Sequence, residues 1–316
     1  MIKKYILTIL ATAFCLISMA QDDLKLKLDS IATSGLEKGI PGIQVIISDS
    51  KGYTIYNYGH HEIEKTTEVN DSTRWRYGSI TKVFTAVMIL QLESEGKLSI
   101  DDSVTKYIDL KQHNAAGITI KHLLNHSSGL YNYTASKKLK WEDTPNQCLE
   151  NSLKRKLNFT PGSKYDYCNT GYVILGLIIE KITAQSYQQN ITERIFKPCG
   201  LESMIYCSDD KIPFNTARGY KIKHNKYTDF TEIDHSWANS AGAVLGNLTD
   251  LNKFVDCLFK GNLIDSSQLK KMISPTIIYR DLNADGMEWF YHGVGLCWDL
   301  NLDKTEKPIY VSHGGN

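Results

Sequence analysis

Ser79 and Lys82 stand three residues apart at the front of an apolar run, Val83 to Leu90, in which Thr85 is the one polar residue. Such a run predicts a helix buried on nearly every side, with Gly96 as its stop. Residues i and i+3 share a helix face, so the Lys82 ammonium can reach the Ser79 hydroxyl. A buried helix start also presents free N–H groups and a positive dipole end. That setting lowers the proton affinity of the lysine and supplies donors for a developing oxyanion, the requirements of an acylation site. Ser48, Ser94, Ser103, Ser208 and Ser267 also precede a lysine by three residues, but none of them opens an apolar helix.

Two further segments carry chemistry-bearing types: Tyr167-Cys168-Asn169 and His313-Gly314-Gly315. Each has an ordinary reading alone. Tyr167 could pack in an aromatic core beside Tyr165 and Tyr172, Asn169 could cap the helix that follows, and His313 could be an exposed strand end. A serine hydroxyl is a poor nucleophile without a base in reach. Lys82 and Tyr167 are the candidates, both with reference pKa values of about 10, so one must be shifted down. Sequence leaves open which takes the proton, or whether the pair titrates as a unit.

Taken together and in this order, the three segments resemble the penicillin-recognising serine hydrolases, whose sites combine S-x-x-K, a middle S/Y-x-N and a K/H-x-G strand. The Y-x-N form is similar to the branch holding class C β-lactamases, soluble DD-carboxypeptidases and related esterases. Leu123-Leu124-Asn125-His126-Ser127-Ser128-Gly129-Leu130, Thr160-Pro161-Gly162-Ser163 and Ser240-Ala241-Gly242-Ala243 are similar to landmarks of that family. The resemblance runs from about Lys38 to Asn316. It implies Ser79 as nucleophile and Lys82 and Tyr167 as proton-transfer groups. It implies that Asn169 holds the substrate amide and orients Lys82. His313, Gly315 and Asn316 would bind substrate, with the main-chain N–H groups of Ser79 and Asn316 as the oxyanion hole.

The implied fold is α+β and β-lactamase/transpeptidase-like: an antiparallel sheet flanked by helices, plus a mostly helical lobe. The sheet lobe would be discontinuous, residues 21–78 and 236–316, with residues 79–235 as the helical lobe. Members of this family continue past the third motif with more strands and a C-terminal helix, so a truncated C-terminal part is the expectation. Histidine in place of lysine in that motif weakens the grip on a substrate carboxylate and argues against a dedicated β-lactamase.

The elements that must position these residues are partly legible. Gln21 to Lys38 has a helical apolar stripe, and Ile43–Ser48 and Tyr53–Tyr58 flank the turn Asp49-Ser50-Lys51-Gly52 as a β-hairpin. Thr119 caps a short helix. Asn146–Leu157, Gly171–Ile182 and Tyr187–Phe196 read as helices, Ser240–Gly246 as a strand of small residues, and Thr249 as the cap of a helix reaching Phe259. Ile277–Tyr279, Gly293–Asp299 and Ile309–Ser312 read as late strands.

The chain opens Met1-Ile2-Lys3-Lys4, runs apolar to Ile17 and then reads Ser18-Met19-Ala20, the pattern of a secretory signal peptide over residues 1–20. The expected location is secreted or periplasmic, with no stable membrane span after cleavage. Loss of Lys3 and Lys4 takes the formal charge from +1 to −1. Lys154-Arg155-Lys156 is the one basic cluster and reads as a solvated helix face, so no nucleic-acid partner is expected. The six cysteines left are read as small buried residues, with Cys199 and Cys207 near enough in sequence to pair.

No cofactor or metal is implied. His60 and His61 point opposite ways on a strand without a third ligand, and the calcium-loop-like Asp281–Gly286 has His292 where a carboxylate is required. The reading is therefore an exported serine hydrolase working through an acyl-enzyme on D-amino-acid peptides or amides. Its partner would be a small-molecule or peptide substrate: a cell-wall peptide, a β-lactam or an ester. The alternatives are a short-acyl esterase of the same family, or a non-catalytic binding protein or inactive fragment.

Overall fold

The computed structural model describes residues 23–110, 115–136, 144–207, 212–224, 226–231, 236–282 and 289–315. The expected signal peptide, Asn316 and most of the turn read over Asp281–Gly286 lie outside them. They fall into two compact units that part between Thr73 and Arg74.

In the first unit a helix over residues 23–37 (α1) ends where Gly39 takes a positive φ. The expected hairpin follows: β1 (Gly42–Asp49) pairs antiparallel with β2 (Gly52–Gly59). Asp49 accepts from the Lys51 N–H at 2.7 Å, an Asx turn that sets the reversal. The Tyr58 hydroxyl donates to Asp29 at 2.8 Å and ties hairpin to helix.

The second unit carries the core. β3 (Arg74–Arg76) leads through a tight turn, Gly78–Ile80, into α2 (Thr81–Ser94). Every residue of α2 from Thr81 to Leu90 is buried. Phe84 stacks on Phe254 at 3.9 Å and meets Phe196 edge-on at 6.1 Å. The one polar residue of the apolar run is satisfied there: Thr85 donates to the Ser240 carbonyl at 2.7 Å and meets the Tyr187 hydroxyl at 2.7 Å.

Around it lie α3 (Ile120–Leu124), α4 (Pro145–Leu153), α5 (Asn169–Thr183) and α6 (Tyr187–Ile191). α3 is capped by Thr119 as expected, with His122 returning the bond. Then come β4 (Ile205–Tyr206), the hairpin β5 (Tyr220–Lys223) and β6 (Lys226–Asp229), α7 (Asn239–Gly242) and β7 (Val244–Asn247). α8 (Leu248–Phe259) and α9 (Ser266–Ile273) precede four strands, β8 (Ile277–Leu282), β9 (Trp289–Val294), β10 (Asp299–Leu302) and β11 (Pro308–Ser312). These four form an antiparallel sheet in the order β11-β10-β9-β8, and β3-β7-β4 form a second.

Three expectations are corrected. The strand read over Ser240–Gly246 is a helical turn followed by a strand: α7 aims the Ser240 and Ala241 carbonyls inward, and β7 begins only at Val244. The cap of α8 is Asn247, whose side chain accepts from the Asp250 N–H at 2.9 Å, and not Thr249. The disulfide joins Cys199 to Cys257 on α8, while Cys207 is a buried thiol against the β7 side.

Close packing of α5 on α7 needs Gly176, where a Cβ would overlap the Ser240 hydroxyl. Among the described residues no helix is long and apolar enough to cross a membrane.

Candidate active site

Main-chain geometry puts the nucleophile candidate at a bend. Gly78 takes φ +52, a conformation that glycine adopts without strain, and the turn Gly78–Ile80 lifts Ser79 to the head of α2. β7 grips this bend from both sides. The Tyr77 N–H donates to the Val244 carbonyl at 3.0 Å, and the Val244 N–H donates to the Thr81 hydroxyl at 3.0 Å.

Lys82, one turn on, is fully buried. Its Nζ lies 2.9 Å from Ser79 Oγ and donates to the Ala241 carbonyl at 2.7 Å. The nitrogen also stands over the rings of Tyr167 and Tyr172, at 5.0 and 5.5 Å. Burial pulls the Lys82 pKa down to about 7. The Tyr167 hydroxyl donates to the same Ser79 Oγ at 2.7 Å. Burial pushes Tyr167 the other way, up to about 12, against the opposing pull of its bond to Ser79. At neutral pH the lysine can therefore be an amine while the phenol keeps its proton. The hydroxyl of Ser79 then has an acceptor on one side and a donor on the other.

The third segment arrives from β11. A Cβ on Gly315 would overlap the Tyr77 carbonyl oxygen, so the end of this strand lies directly against the residue before Gly78. His313 is half-buried, and its Nδ1 lies 2.7 Å from the Gly314 carbonyl, to which the neutral ring donates. Burial, with the charge of Lys82 adding, pulls His313 down to about 4, so the imidazole is neutral at pH 7. The fold thus brings together Ser79, Lys82, Tyr167, His313 and Gly315.

Asn169 sits differently from expectation. It is the first residue of α5, and its amide donates to the Thr134 hydroxyl at 3.1 Å, while the partner of Lys82 is the Ala241 carbonyl. Neither is Asn169 the cap, since the N-cap is Cys168 and makes no side-chain cap bond.

Sequence reading assigned no role to Ala241 or His126, though both fall inside stretches it had singled out. Ala241 acts through its backbone and leaves no side-chain signature. His126 is buried with its ring 4.4 Å from that of Tyr167. Among the described residues no group of three or more His, Cys, Asp or Glu could hold a metal ion. A cavity of about 710 Å³ lined by Ile108, Leu110, Leu149, Leu153 and Leu177 includes none of the site residues.

Comparisons with known proteins bear on the family and the fold. The Beta-lactamase family model matches residues 27–316. Protein flp of Staphylococcus aureus (strain MW2) is 28% identical over 286 residues, covering 85% of this chain and 56% of that protein. A putative penicillin-binding protein, PbpX, of Bacillus subtilis (strain 168) is 30% identical over 240 residues, covering 76% and 60%. The chain thus spans a little over half the length of these curated relatives. Among solved structures, a D-stereospecific amidohydrolase from Streptomyces sp. superposes with a TM-score of 0.77 at 26% identity, covering 90% of this chain and 85% of its own. Motif order, fold and family model agree, and the chain belongs to the Beta-lactamase family of serine hydrolases.

Proposed function

We propose that the protein is an exported serine hydrolase that works through an acyl-enzyme on Ser79 and acts on peptides or amides of D-amino acids. The observation that carries the reading is the position of Ser79 Oγ between Lys82 Nζ at 2.9 Å and the Tyr167 hydroxyl at 2.7 Å. Ser79 passes its proton to the neutral Lys82 amine as Oγ bonds to the substrate carbonyl carbon. The carbonyl oxygen, now negative, is met by the main-chain N–H at the Ser79 turn. When the C–N bond breaks, the leaving nitrogen takes a proton from Tyr167, and the proton held by Lys82 passes to the Tyr167 oxygen, which returns both groups to their starting forms. Water then repeats the sequence in reverse to free Ser79.

The choice of D-amino-acid amides is supported by the likeness to the Streptomyces amidohydrolase. A second reading, short acyl esters, is favoured by His313. A neutral imidazole offers no fixed positive charge for the carboxylate that β-lactams and DD-peptides carry. Export is supported by the leader-like residues 1–20 and by the Cys199–Cys257 bond, which suits an oxidising compartment.

The test is mass spectrometry after exposure to a fluorophosphonate and to a penicillin, with turnover of a D-aminoacyl amide, a p-nitrophenyl ester and nitrocefin compared. A covalent adduct on Ser79 with amide turnover is the expected result. No adduct with either reagent would leave a binding protein that keeps the fold without the chemistry.

A further inference from the structure

His126 is an expensive residue for the place it occupies. It is not glycine, yet it holds φ +58, a region that side chains with a Cβ avoid. Its ring is buried, and among the described residues Nε2 has no hydrogen-bond partner. Such departures persist where the surroundings gain from them, and they concentrate at functional sites.

What His126 holds is the segment around Tyr167. Its carbonyl accepts from the Asp166 N–H at 2.9 Å, and its Nδ1 accepts from the Cys168 N–H at 3.1 Å. One residue therefore catches the main-chain donors on both sides of Tyr167. The same ring lies against the Tyr167 ring, with centroids 4.4 Å apart and planes tilted by 32°. Because Nδ1 accepts, the ring proton is on Nε2, which explains the orphaned donor. Burial and the nearby Lys82 keep the imidazole in that neutral form, the form that leaves Nδ1 able to accept. A phenylalanine would fill the space without an orphaned N–H, but it could not accept from Cys168. An asparagine would accept from Cys168 and tolerate the backbone, but it could not stack.

We propose that His126 is a positioning residue for the Tyr167 hydroxyl, acting through a backbone clamp on residues 166–168 and a ring contact that sets the phenol at hydrogen-bond distance from Ser79. This rests on the reading of Ser79 and Tyr167 given above. The substrate need not touch His126, so the role is visible in the rate and not in binding.

The experiment is a double-mutant cycle read by hydrolysis of a p-nitrophenyl ester and by the rate of fluorophosphonate labelling. In the wild-type background, His126→Ala should lower kcat about 10²-fold, the effect of misplacing a reacting group by an ångström, with KM nearly unchanged. In the Tyr167→Phe background the same change should cost less than about threefold, because the group it positions is already gone. His126→Asn, which keeps the bond from Cys168 but loses the ring contact, should recover part of the rate and His126→Phe less, a contrast that a volume effect would reverse and that remains readable if the alanine variant fails to fold. Equal losses in the two backgrounds, or a His126→Phe enzyme as fast as wild type, would overturn the inference alone. Undiminished activity of Tyr167→Phe by itself would instead remove the role given to Tyr167, and the inference with it.

Discussion

The side-chain nitrogen of Lys82 donates to the carbonyl oxygen of Ala241 at 2.7 Å, across 159 positions of sequence. With its pKa held near 7, Lys82 accepts the Ser79 proton only in its amine form. Below pH 7 a third proton occupies the nitrogen, so kcat/KM should fall about tenfold per pH unit, and above pH 7 it should level off. Tyr167, at about 12, adds no second limb over the accessible range. A pH–rate profile on an uncharged ester checks this, and a profile with an acid limb near pH 4 or 10 would assign the base elsewhere. Lys82→Arg, which cannot lose its proton, should be inactive at every pH.

Lys82 also costs stability. Its folded pKa lies below the unfolded value of 10.5, so between pH 7 and 10.5 the unfolded chain binds the extra proton and wild-type stability rises with pH. Lys82→Met removes that dependence. The stability of the variant relative to wild type should be greatest at pH 7 and shrink toward pH 10, as read by urea denaturation at both values.

Gly315 must let the end of β11 lie on the Tyr77 carbonyl. Gly315→Ala should therefore push this strand from the Ser79 turn and lower kcat by about 10²-fold. At Gly314 an added Cβ would meet nothing within 4 Å, so Gly314→Ala should cost far less. Steady-state kinetics of the two variants side by side decide the matter.

On the reading proposed above, His313 would set the preference between charged and uncharged substrates. Replacing it by lysine restores a cation in the third motif, so His313→Lys should raise the ratio of nitrocefin to ester turnover about tenfold. An unchanged ratio would show that His313 does not face the substrate carboxylate.

The Cys199–Cys257 bond closes a separation of 58 residues between the end of the helical segment and α8. Replacing both by serine should cost about 2–5 kcal/mol in chemical denaturation while leaving the rate at 25 °C near wild type, since neither sulfur touches the site.

The local part of this structure was legible. Alternating residues gave the β1–β2 hairpin, and the all-apolar run gave α2, because both are dictated by which faces must be buried. Residue types and order singled out Ser79, Lys82 and Tyr167, whose polar atoms the fold brings within hydrogen-bond distance around Ser79. What could not be read depends on partners remote in sequence. The small residues of Ser240–Gly246 suit a close-packed helical turn as well as a strand, and only the facing Gly176 and Lys82 decide between them. Cysteine spacing suggested Cys207 as the partner of Cys199, whereas α8 brings Cys257 to it from much farther along. The hairpin β5–β6 has strands of four residues each, and the alternation Tyr220-Lys221-Ile222-Lys223 is too short to reveal it. Asn169 was matched to Lys82 by motif, but Thr134 takes its amide.

Because the group that receives Lys82 belongs to the peptide backbone at Ala241, no exchange of one side chain can delete it. Substitutions elsewhere around the site leave that contact to Lys82 in place. Variants selected for altered substrate range should accordingly admit at residue 241 only small replacements that preserve the helical turn.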